Sequence, residues 1–244
     1  MRATEFEFRF RFLFIMAIYI GGFWCYALDP VNVSELFAQQ LRHAVGLGVR
    51  SDRHVLQAIL TFGAALAVLG ALVRTWAAAY LRSDVVHDTK LHGEGLVADG
   101  PYRYVRNPLY LGGLLFAVGF ALAASRLGCV VIVGGLALFF YRLVLREESI
   151  LVKTQGESYR HFLAAVPRLM PSLTPRVAAG GLIPRWGQAM MGEMFMWLFA
   201  AAIACFAATL NKRVFLTIMV SGVAASFLAK AALRRRRHPD MSQS

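Results

Sequence analysis

A stretch in the middle of the chain, GPYRYVRNPLYLGG at residues 100–113, places polar and aromatic groups directly before a strongly apolar segment. Asn107-Pro108 predicts a corner that starts a helix, because proline disfavours helix at the residue before it and is accepted in a first helical turn. Free backbone N–H groups at that helix start could hold an anionic group, and tyrosines beside them could stack on a ring. The charged and aromatic groups are Arg103, Arg106, Tyr102, Tyr104 and Tyr110. The alternative is an interfacial belt of aromatic residues with snorkelling arginines.

A second stretch, YRLVLREESILVKTQGESYRHFLAAVPRLMPS at residues 141–172, combines paired arginines with paired glutamates. Arg142 and Arg146 are four residues apart and so share one face of a helix. Glu147 and Glu148 follow where a membrane span is expected to end, and charges at such positions are costly to bury and often functional. The alternative is that these charges only mark the membrane boundary.

The later part of the second stretch predicts a break followed by a short amphipathic element. Gly156 is expected to break the helix. Tyr159 and Phe162 then lie three residues apart on one face. Val166-Pro167 is expected to end the element.

Long apolar segments must position these two stretches. Hydrophobic residues make up 58% of the 244-residue chain and charged residues only 16%, compared with about 45–50% and about 25% in globular domains. A bilayer core needs about 20 mostly apolar residues per helix. We therefore predict an all-α, polytopic integral membrane bundle of about six transmembrane helices. The expected spans are residues 10–28, 55–81, 109–124, 127–145, 190–210 and 214–233, with only Ser125-Arg126 between the third and fourth.

The distribution of positive charge predicts the orientation. With the N-terminus in the cytoplasm, 19 Lys and Arg residues lie on the cytoplasmic side and six on the opposite side. Cytoplasmic loops carry the excess of positive residues, so both termini are expected in the cytoplasm. The first span has no clear cleavage site and is expected to be retained. This orientation places both stretches on one cytoplasmic face, around a common pocket.

A Pro- and Gly-rich segment at residues 174–187 is the best candidate boundary within the chain. It divides a four-span core, residues 1–175, from a two-span C-terminal hairpin, residues 176–244. The hairpin ends in a polybasic run at residues 234–237. That run is a topology signal or a contact for anionic lipid head groups.

Charge and metal-ligating residues exclude some classes of function. The net charge of +12 would suggest nucleic acid in a soluble protein, but the positive residues cluster at the ends of apolar segments, so a membrane surface explains them better. No metal is expected. The three cysteines match no disulfide or zinc spacing, and the acidic and histidine residues of one loop match no zinc pattern and indicate a solvated loop. These residues are Cys25, Cys129 and Cys205, and His87, Asp88, His92 and Glu94.

The two stretches together resemble the isoprenylcysteine carboxyl methyltransferase and phospholipid methyltransferase superfamily of integral membrane methyltransferases. LVADGPYRYVRNPLYLGG is similar to the family pattern Gly-Pro-Tyr-x-x-x-Arg-His-Pro-x-Tyr-x-Gly. EESILVKTQGESYRHFLAAVPRLMPS is similar to the Glu-Glu helix end, the Gly-Glu-x-Tyr motif and the Val-Pro-Arg-like close that follow it. GALVRTWAAAYL resembles the preceding helix, so the resemblance covers residues 70–172.

The resemblance implies methyl transfer from S-adenosylmethionine to a lipid or another apolar acceptor that partitions into the membrane. The acceptor group would be a carboxylate, a thiol or an amine. The implied cofactor-binding residues are Gly100, Tyr102, Arg106, Asn107, Pro108, Tyr110, Leu111, Gly112, Glu148 and Tyr159. For a carboxylate acceptor, Arg142 or Arg146 would orient the substrate. For an amine or a thiol, Glu147 would handle the proton.

Two residues depart from the family pattern. Asn107 stands where the family has histidine, and Phe162 stands where it has a second tyrosine. Arg74, within the second span, is expected either to snorkel or to line the pocket.

Two other functions remain open from the sequence. One is a sterol-reductase-like membrane enzyme that uses NADPH, although Pro108-Leu109-Tyr110 stands where such enzymes have Pro-Asn-Tyr. The other is a non-enzymatic membrane scaffold with a degenerate methyltransferase core, suggested by Asn107. Whichever function applies, the protein is expected to be an integral protein of a bacterial inner membrane.

Overall fold

The computed structural model describes residues 2–46, 52–81 and 98–222, and every regular element in those ranges is helical. The helices are α1 (Glu5–Arg9), α2 (Arg11–Trp24), α3 (Val33–Val45), α4 (Asp52–Tyr80), α5 (Pro108–Ala121), α6 (Arg126–Ala165), α7 (Trp186–Gly192) and α8 (Met194–Thr209). Two 3₁₀ turns, Cys25–Ala27 and Gly100–Arg103, follow α2 and precede α5. Residues 212–222 are also helical. The predicted all-α class is confirmed for this part of the chain.

The helix α3 lies between the first two expected spans and was not predicted. Asn32 caps it, because its side-chain oxygen accepts hydrogen bonds from the N–H groups of Ser34 and Glu35 at 2.7 and 3.2 Å. The helix ends at Gly46, which has a left-handed backbone conformation with φ 69°. An Asn cap with Glu three residues later is a recognisable start signal.

Helices α4 and α5 approach each other closely along a line of glycines. A Cβ built at Gly112 would lie 2.7 Å from the Gly70 carbonyl oxygen, a distance that real Cβ atoms do not show. Gly63 and Gly119 make a second contact of this kind. Small residues let membrane helices pack closely, so this contact fixes α5, and the Asn107 corner at its start, against α4.

A short turn joins α5 to α6, in agreement with the short connection expected between the third and fourth spans. Ser125 caps α6 by accepting a hydrogen bond from the Gly128 N–H at 3.1 Å. At the same end of the bundle, Arg126 donates to the Asp29 carboxylate at 3.0 Å, and the Val33 N–H donates to the Ala124 carbonyl at 3.1 Å. The loop after α2 therefore lies beside this turn.

The helix α6 continues far beyond the expected end of the fourth span at residue 145. It has 40 residues with a break at Gly156, and its continuous part before that break, residues 126–155, is about 45 Å long at 1.5 Å per residue, which exceeds the roughly 30 Å of a bilayer core. Hydropathy falls at the charged residues that follow residue 145, whereas no Pro or Gly interrupts the helix between there and Gly156. The end of the span at residue 145 stays a prediction. The break predicted at Gly156 is confirmed by its non-helical backbone, with φ 59° and ψ −130°.

The C-terminal helices pack on the motif-bearing part of the chain. α7 and α8 meet at a bend of 61°. Ala200 and Ile203 of α8 form one core cluster with Ala64 and Ala67 of α4, together with aromatic residues of α5. The division at residue 175 stays a prediction.

Two described helices, α4 and α6, are long and apolar enough to cross a membrane, and the bent pair α7–α8 raises this number to three if it forms one span. The apolar helices Arg11–Ala27 and Pro108–Ala121 are shorter. The sixth expected span falls partly outside the described residues. The polybasic run at 234–237 and the loop with His87, Asp88, His92 and Glu94 fall wholly outside them.

Candidate active site

Residues 99–107, the strip before α5, form a tight turn whose residues are buried or half-buried. Gly100 has φ +56°, and a Cβ at this position would collide with the Tyr80 ring of α4. The Asp99 side chain is buried and accepts hydrogen bonds from the N–H groups of Gly180 and Leu182 at 2.8 and 2.9 Å. The turn is therefore fixed from both sides.

Residues 103–106 lie against the segment that follows α6. The Arg106 N–H donates to the Pro167 carbonyl at 2.9 Å, and the Ser172 N–H donates to the Tyr104 carbonyl at 3.0 Å. The Arg176 N–H donates to the Arg103 carbonyl at 2.8 Å. The two stretches that the sequence assigns to one face are thus in direct contact.

Glu148 lies at the centre of this contact. Its side chain is only 8% exposed, and Arg106 Nη1 lies 3.1 Å from its Oε1 atom. Arg168 Nη2 lies 2.9 Å from Oε2, and Arg168 Nε donates to both oxygens at 3.1 and 3.2 Å. The carboxylate raises the pKa of Arg168 through these hydrogen bonds. One carboxylate therefore connects the strip, α6 and the segment after it.

Asn107 belongs to the same cluster. Its Nδ2 atom donates to Glu148 Oε1 at 3.4 Å and to the Arg168 carbonyl at 3.2 Å. Pro108 follows as the first residue of α5 and is fully buried. The Asn-Pro corner thus directs a side-chain amide at Glu148 and starts the helix at once.

Glu147 faces a different part of the molecule. The Tyr110 hydroxyl donates to Glu147 Oε1 at 2.7 Å. The Tyr110 ring lies against Phe140, with ring centres 5.3 Å apart. This pair joins α5 to α6 inside the bundle.

Arg74 is held by an ion pair inside the bundle. Its Nε and Nη2 atoms donate to the two oxygens of Glu193 at 2.7 and 2.9 Å, and its Nη1 atom donates to the Leu109 carbonyl at 3.2 Å. Glu193 lies at the bend between α7 and α8 and is buried. The Arg74 side chain also lies against Gly112, where a Cβ would be 2.7 Å from Cγ. Arg74 therefore lines the first turns of α5.

Arg142 and Arg146, the two arginines expected to orient an acceptor, contact the N-terminal segment. Arg142 donates to the Glu7 carboxylate at 2.7 Å. Arg146 donates to the Ala3 carbonyl at 3.0 Å. These arginines lie on a separate face from the Glu148 cluster.

The remaining expected site residues take part through packing. Tyr102 is buried, and burial raises the pKa of its phenol, with a further contribution from the negative charge of Glu147. Tyr159 is buried in a cluster with Phe162 and Val166. Leu111 is half-buried and donates its N–H to the Asn107 carbonyl at 3.0 Å.

Three residues that complete these contacts were not among the expected site residues. Arg168 could have been suspected, because Pro167-Arg168 is part of the quoted closing motif. Glu193 and Glu7 pair with arginines 119 and 135 residues away, and no spacing in the sequence indicates such partners. Within residues 2–46, 52–81 and 98–222, no group of three or more His, Cys, Asp or Glu side chains could hold a metal ion.

The described part of the chain is helical and contains two, or up to three, helices long and apolar enough to cross a membrane, as is typical of a helical membrane protein. Residues 58–158 match the family model described as phospholipid methyltransferase. That family model is one of the integral membrane methyltransferase superfamily, so the resemblance drawn from the two stretches is confirmed over the matched segment. The match includes Asn107, Glu147 and Glu148, and it ends before Arg168 and Glu193. No curated protein and no solved structure matches the chain.

Proposed function

We propose that the protein transfers a methyl group from S-adenosylmethionine to a lipid or another apolar acceptor at the cytoplasmic surface of a membrane. The observation that carries the proposal is the joining of the two stretches around Glu148, a residue of the segment that matches the family model. A membrane methyltransferase family and a helical membrane fold together favour a substrate reached from the bilayer.

The residues around Glu148 fit the charged end of this cofactor, which carries a carboxylate, an ammonium and a sulfonium group. The Arg106 Nε atom is buried and has no hydrogen-bond partner in the described part of the chain, so a carboxylate would satisfy it. The Glu148 carboxylate is a complementary acceptor for a cation. When bound, the cofactor would supply an electrophilic methyl group.

The other proposed cofactor contacts surround this centre. Asn107 offers a side-chain amide, and Gly112 lets α4 approach α5 so closely that Arg74 lies at the first turns of α5. Tyr110 and Tyr159 offer aromatic faces to a cation or a ring. Gly100, Tyr102, Arg106, Pro108 and Leu111 complete the proposed set and shape the turn that precedes α5.

The acceptor side of the reaction would use the residues that precede Glu148. Glu147 is the candidate base for an amine or thiol acceptor, which must lose a proton when the new bond to carbon forms. Arg142 and Arg146 are the candidates for holding an acceptor carboxylate. Holding donor and acceptor in line would supply most of the rate enhancement.

We also propose the six-span topology with both termini in the cytoplasm, in a bacterial inner membrane. The charge distribution supports this orientation. The hydrogen bond from the Ala3 N–H to the Arg142 carbonyl supports it too, because it brings the N-terminus to the same end of the bundle as the two stretches.

Calorimetric titration of the detergent-purified full-length protein with S-adenosylhomocysteine, and with NADPH in parallel, tests the proposed function. We expect micromolar binding of S-adenosylhomocysteine and none of NADPH. The Glu148→Gln variant keeps the shape of the side chain and removes its charge, so it should weaken binding at least tenfold.

The matched control is Glu157→Gln, which removes an exposed glutamate that follows the break at Gly156 and pairs with Arg160. It should bind like the wild type. NADPH binding alone, or equal affinities of the Glu148→Gln and Glu157→Gln variants, would contradict the proposal. Transfer of labelled methyl groups from S-adenosylmethionine to a fractionated membrane lipid extract would then identify the acceptor class.

A further inference from the structure

Two arginines on α6 hold the N-terminal segment, residues 3–9, against the bundle. Arg142 Nη2 donates to both carboxylate oxygens of Glu7, at 2.9 and 2.7 Å. Arg146 Nη1 donates to the Ala3 carbonyl at 3.0 Å. The chain therefore presents one of its own carboxylates to this arginine pair.

Both arginines have a donor that these contacts leave unused. The Nε atoms of Arg142 and Arg146 are buried and have no hydrogen-bond partner among the described residues. Buried donors without acceptors are costly, and a guanidinium group matches the oxygens of a carboxylate or a phosphate. The two guanidinium groups can therefore donate hydrogen bonds to more oxygen atoms than Glu7 and Ala3 supply.

Glu7 can leave Arg142 without losing its place in α1. Its carboxylate also accepts a hydrogen bond from the Thr4 N–H at 2.6 Å, and the Glu7 N–H donates to Thr4 Oγ1 at 3.2 Å, which makes a capping box. The Arg142 and Glu7 side chains are 28% and 21% exposed. Ion pairs with such access to water contribute little to stability, so another anion can compete for Arg142.

The surroundings of the pair are apolar, which favours a competing ligand with a hydrocarbon part. The Arg146 guanidinium lies 5.5 Å from the centre of the Phe8 ring. Phe8 packs on the core cluster that contains Phe139 and Phe140. The adjoining helix α2 exposes several large apolar side chains, namely Phe12, Leu13, Met16, Ile20 and Trp24.

We infer that Arg142 and Arg146 bind the acidic head group of a membrane amphiphile, a carboxylate or a phosphate, in competition with the Glu7 carboxylate. Arg146 directly precedes Glu147 on α6, and Glu147 accepts a hydrogen bond from the Tyr110 hydroxyl at 2.7 Å. Identifying the ligand as the methyl acceptor rests on the proposed function. Its binding requires no methyl donor.

Calorimetric titration with dihexanoyl phosphatidic acid, a short-chain acidic lipid, tests this inference on the full-length protein in a non-ionic detergent. We expect Glu7→Gln to bind the probe about fivefold more tightly than the wild type. Glutamine preserves the capping box, so the change removes the competing charge and leaves α1 intact. The matched control is Glu5→Gln, which changes an exposed glutamate of the same helix and should leave the affinity unchanged.

Variants of the arginines and probes of other chemistry complete the test. Arg142→Gln with Arg146→Gln should weaken binding more than tenfold, and Arg142→Lys should weaken it less because it keeps the charge but loses the fork of donors. Equal affinities of Glu7→Gln and Glu5→Gln would overturn the inference. Equally tight binding of inorganic phosphate would show a site for free anions, and equally tight binding of dihexanoyl phosphatidylcholine would show no preference for acidic lipids, so either result would also overturn it.

A parallel titration of each sample with S-adenosylhomocysteine separates this inference from the proposed function. Intact cofactor binding without probe binding contradicts only the lipid site. Probe binding without cofactor binding contradicts only the methyltransferase proposal. The same cofactor titration also shows whether the arginine variants are folded.

Discussion

Glu147 and Glu148 are neighbours in the sequence, yet their carboxylates lie in two different regions of the molecule. Glu148 faces the strip before α5 and the segment after α6, where Arg106 and Arg168 contact it. Glu147 faces the interior of the bundle, where the Tyr110 hydroxyl donates to it. One carboxylate is thus paired with positive charges and the other with a neutral phenol.

The difference follows from helix geometry. Successive residues on an α-helix point about 100° apart, so adjacent glutamates on α6 reach different neighbours. Glu148 has two guanidinium partners for its charge, whereas Glu147 has a phenol, a group that can both donate and accept a proton in a hydrogen bond. This contrast favours a binding role for Glu148 and a proton-handling role for Glu147.

Removal of the Glu148 carboxylate should lower the free energy of unfolding more than any change in the Glu147 region. Glu148→Ala leaves Arg106 and Arg168 without their common partner, and breaking a buried ion pair costs about 3–5 kcal/mol. Since the Arg168 side chain is 36% exposed, we expect the lower end, about 3 kcal/mol, in the free energy of unfolding by denaturant in detergent. Glu157→Ala, at an exposed pair on the same helix, should change this free energy by less than about 0.5 kcal/mol. Similar losses in both variants would mean that the Glu148 cluster is no more than a surface contact.

Changes at Glu147 and Tyr110 should lower the free energy of unfolding less than the loss of Glu148. Tyr110→Phe removes one hydroxyl and leaves the Glu147 carboxylate without this donor, which costs about 1–3 kcal/mol. The double variant Tyr110→Phe with Glu147→Leu should recover much of that loss, because replacing both partners with apolar groups removes the unsatisfied group as well. The measurement is a double-mutant cycle of unfolding free energies. Strictly additive losses would show that the two side chains do not depend on each other.

Asn107 offers a finer test of the Glu148 region. Asn107→Asp places a second carboxylate where Nδ2 now lies 3.4 Å from Glu148 Oε1, and we expect a loss of about 1 kcal/mol in the free energy of unfolding. Asn107→His restores the residue of the family pattern and keeps a ring N–H donor, so its effect should be smaller. A loss with histidine as large as that with aspartate would contradict a hydrogen-bonding role for this position.

The sequence predicted the two stretches and their meeting, but not the pairs that connect them. The stretches carry charges at recognisable spacings on either side of a helical hairpin, so a common face followed from topology alone. The partners Arg168 of Glu148, Glu193 of Arg74 and Glu7 of Arg142 depend on how the helices pack. The spacing of residues along one helix contains no information about how that helix is oriented against its neighbours.

The boundaries of α6 and the existence of α3 show the same limit. Hydropathy falls after Leu145, whereas the helix runs on to the break at Gly156 and resumes after it as far as Ala165. α3 has a capping signal at Asn32 and Glu35, but it is too polar for hydropathy to indicate it as a helix. Hydropathy reports contact with lipid and not the length of a helix.

Glu7 forms an ion pair with Arg142 and is more exposed than Glu148. Its replacement should therefore have the smallest effect on stability. The backbone hydrogen bond from Thr4 and the hydrogen bonds from Arg142 hold the pKa of Glu7 below its ordinary value. A group whose folded-state pKa is lowered stabilises the fold above its unfolded pKa, which is about 4.3 for glutamate, and loses that contribution as the pH falls through the folded value. The thermal midpoint of the wild type should therefore exceed that of Glu7→Gln at pH 7 by no more than about 2–4 °C, and the difference should disappear in acid, below the folded-state pKa. A difference that persists in acid would mean that the carboxylate acts through its shape and not its charge, and Arg142 would then have no reason to prefer an anion.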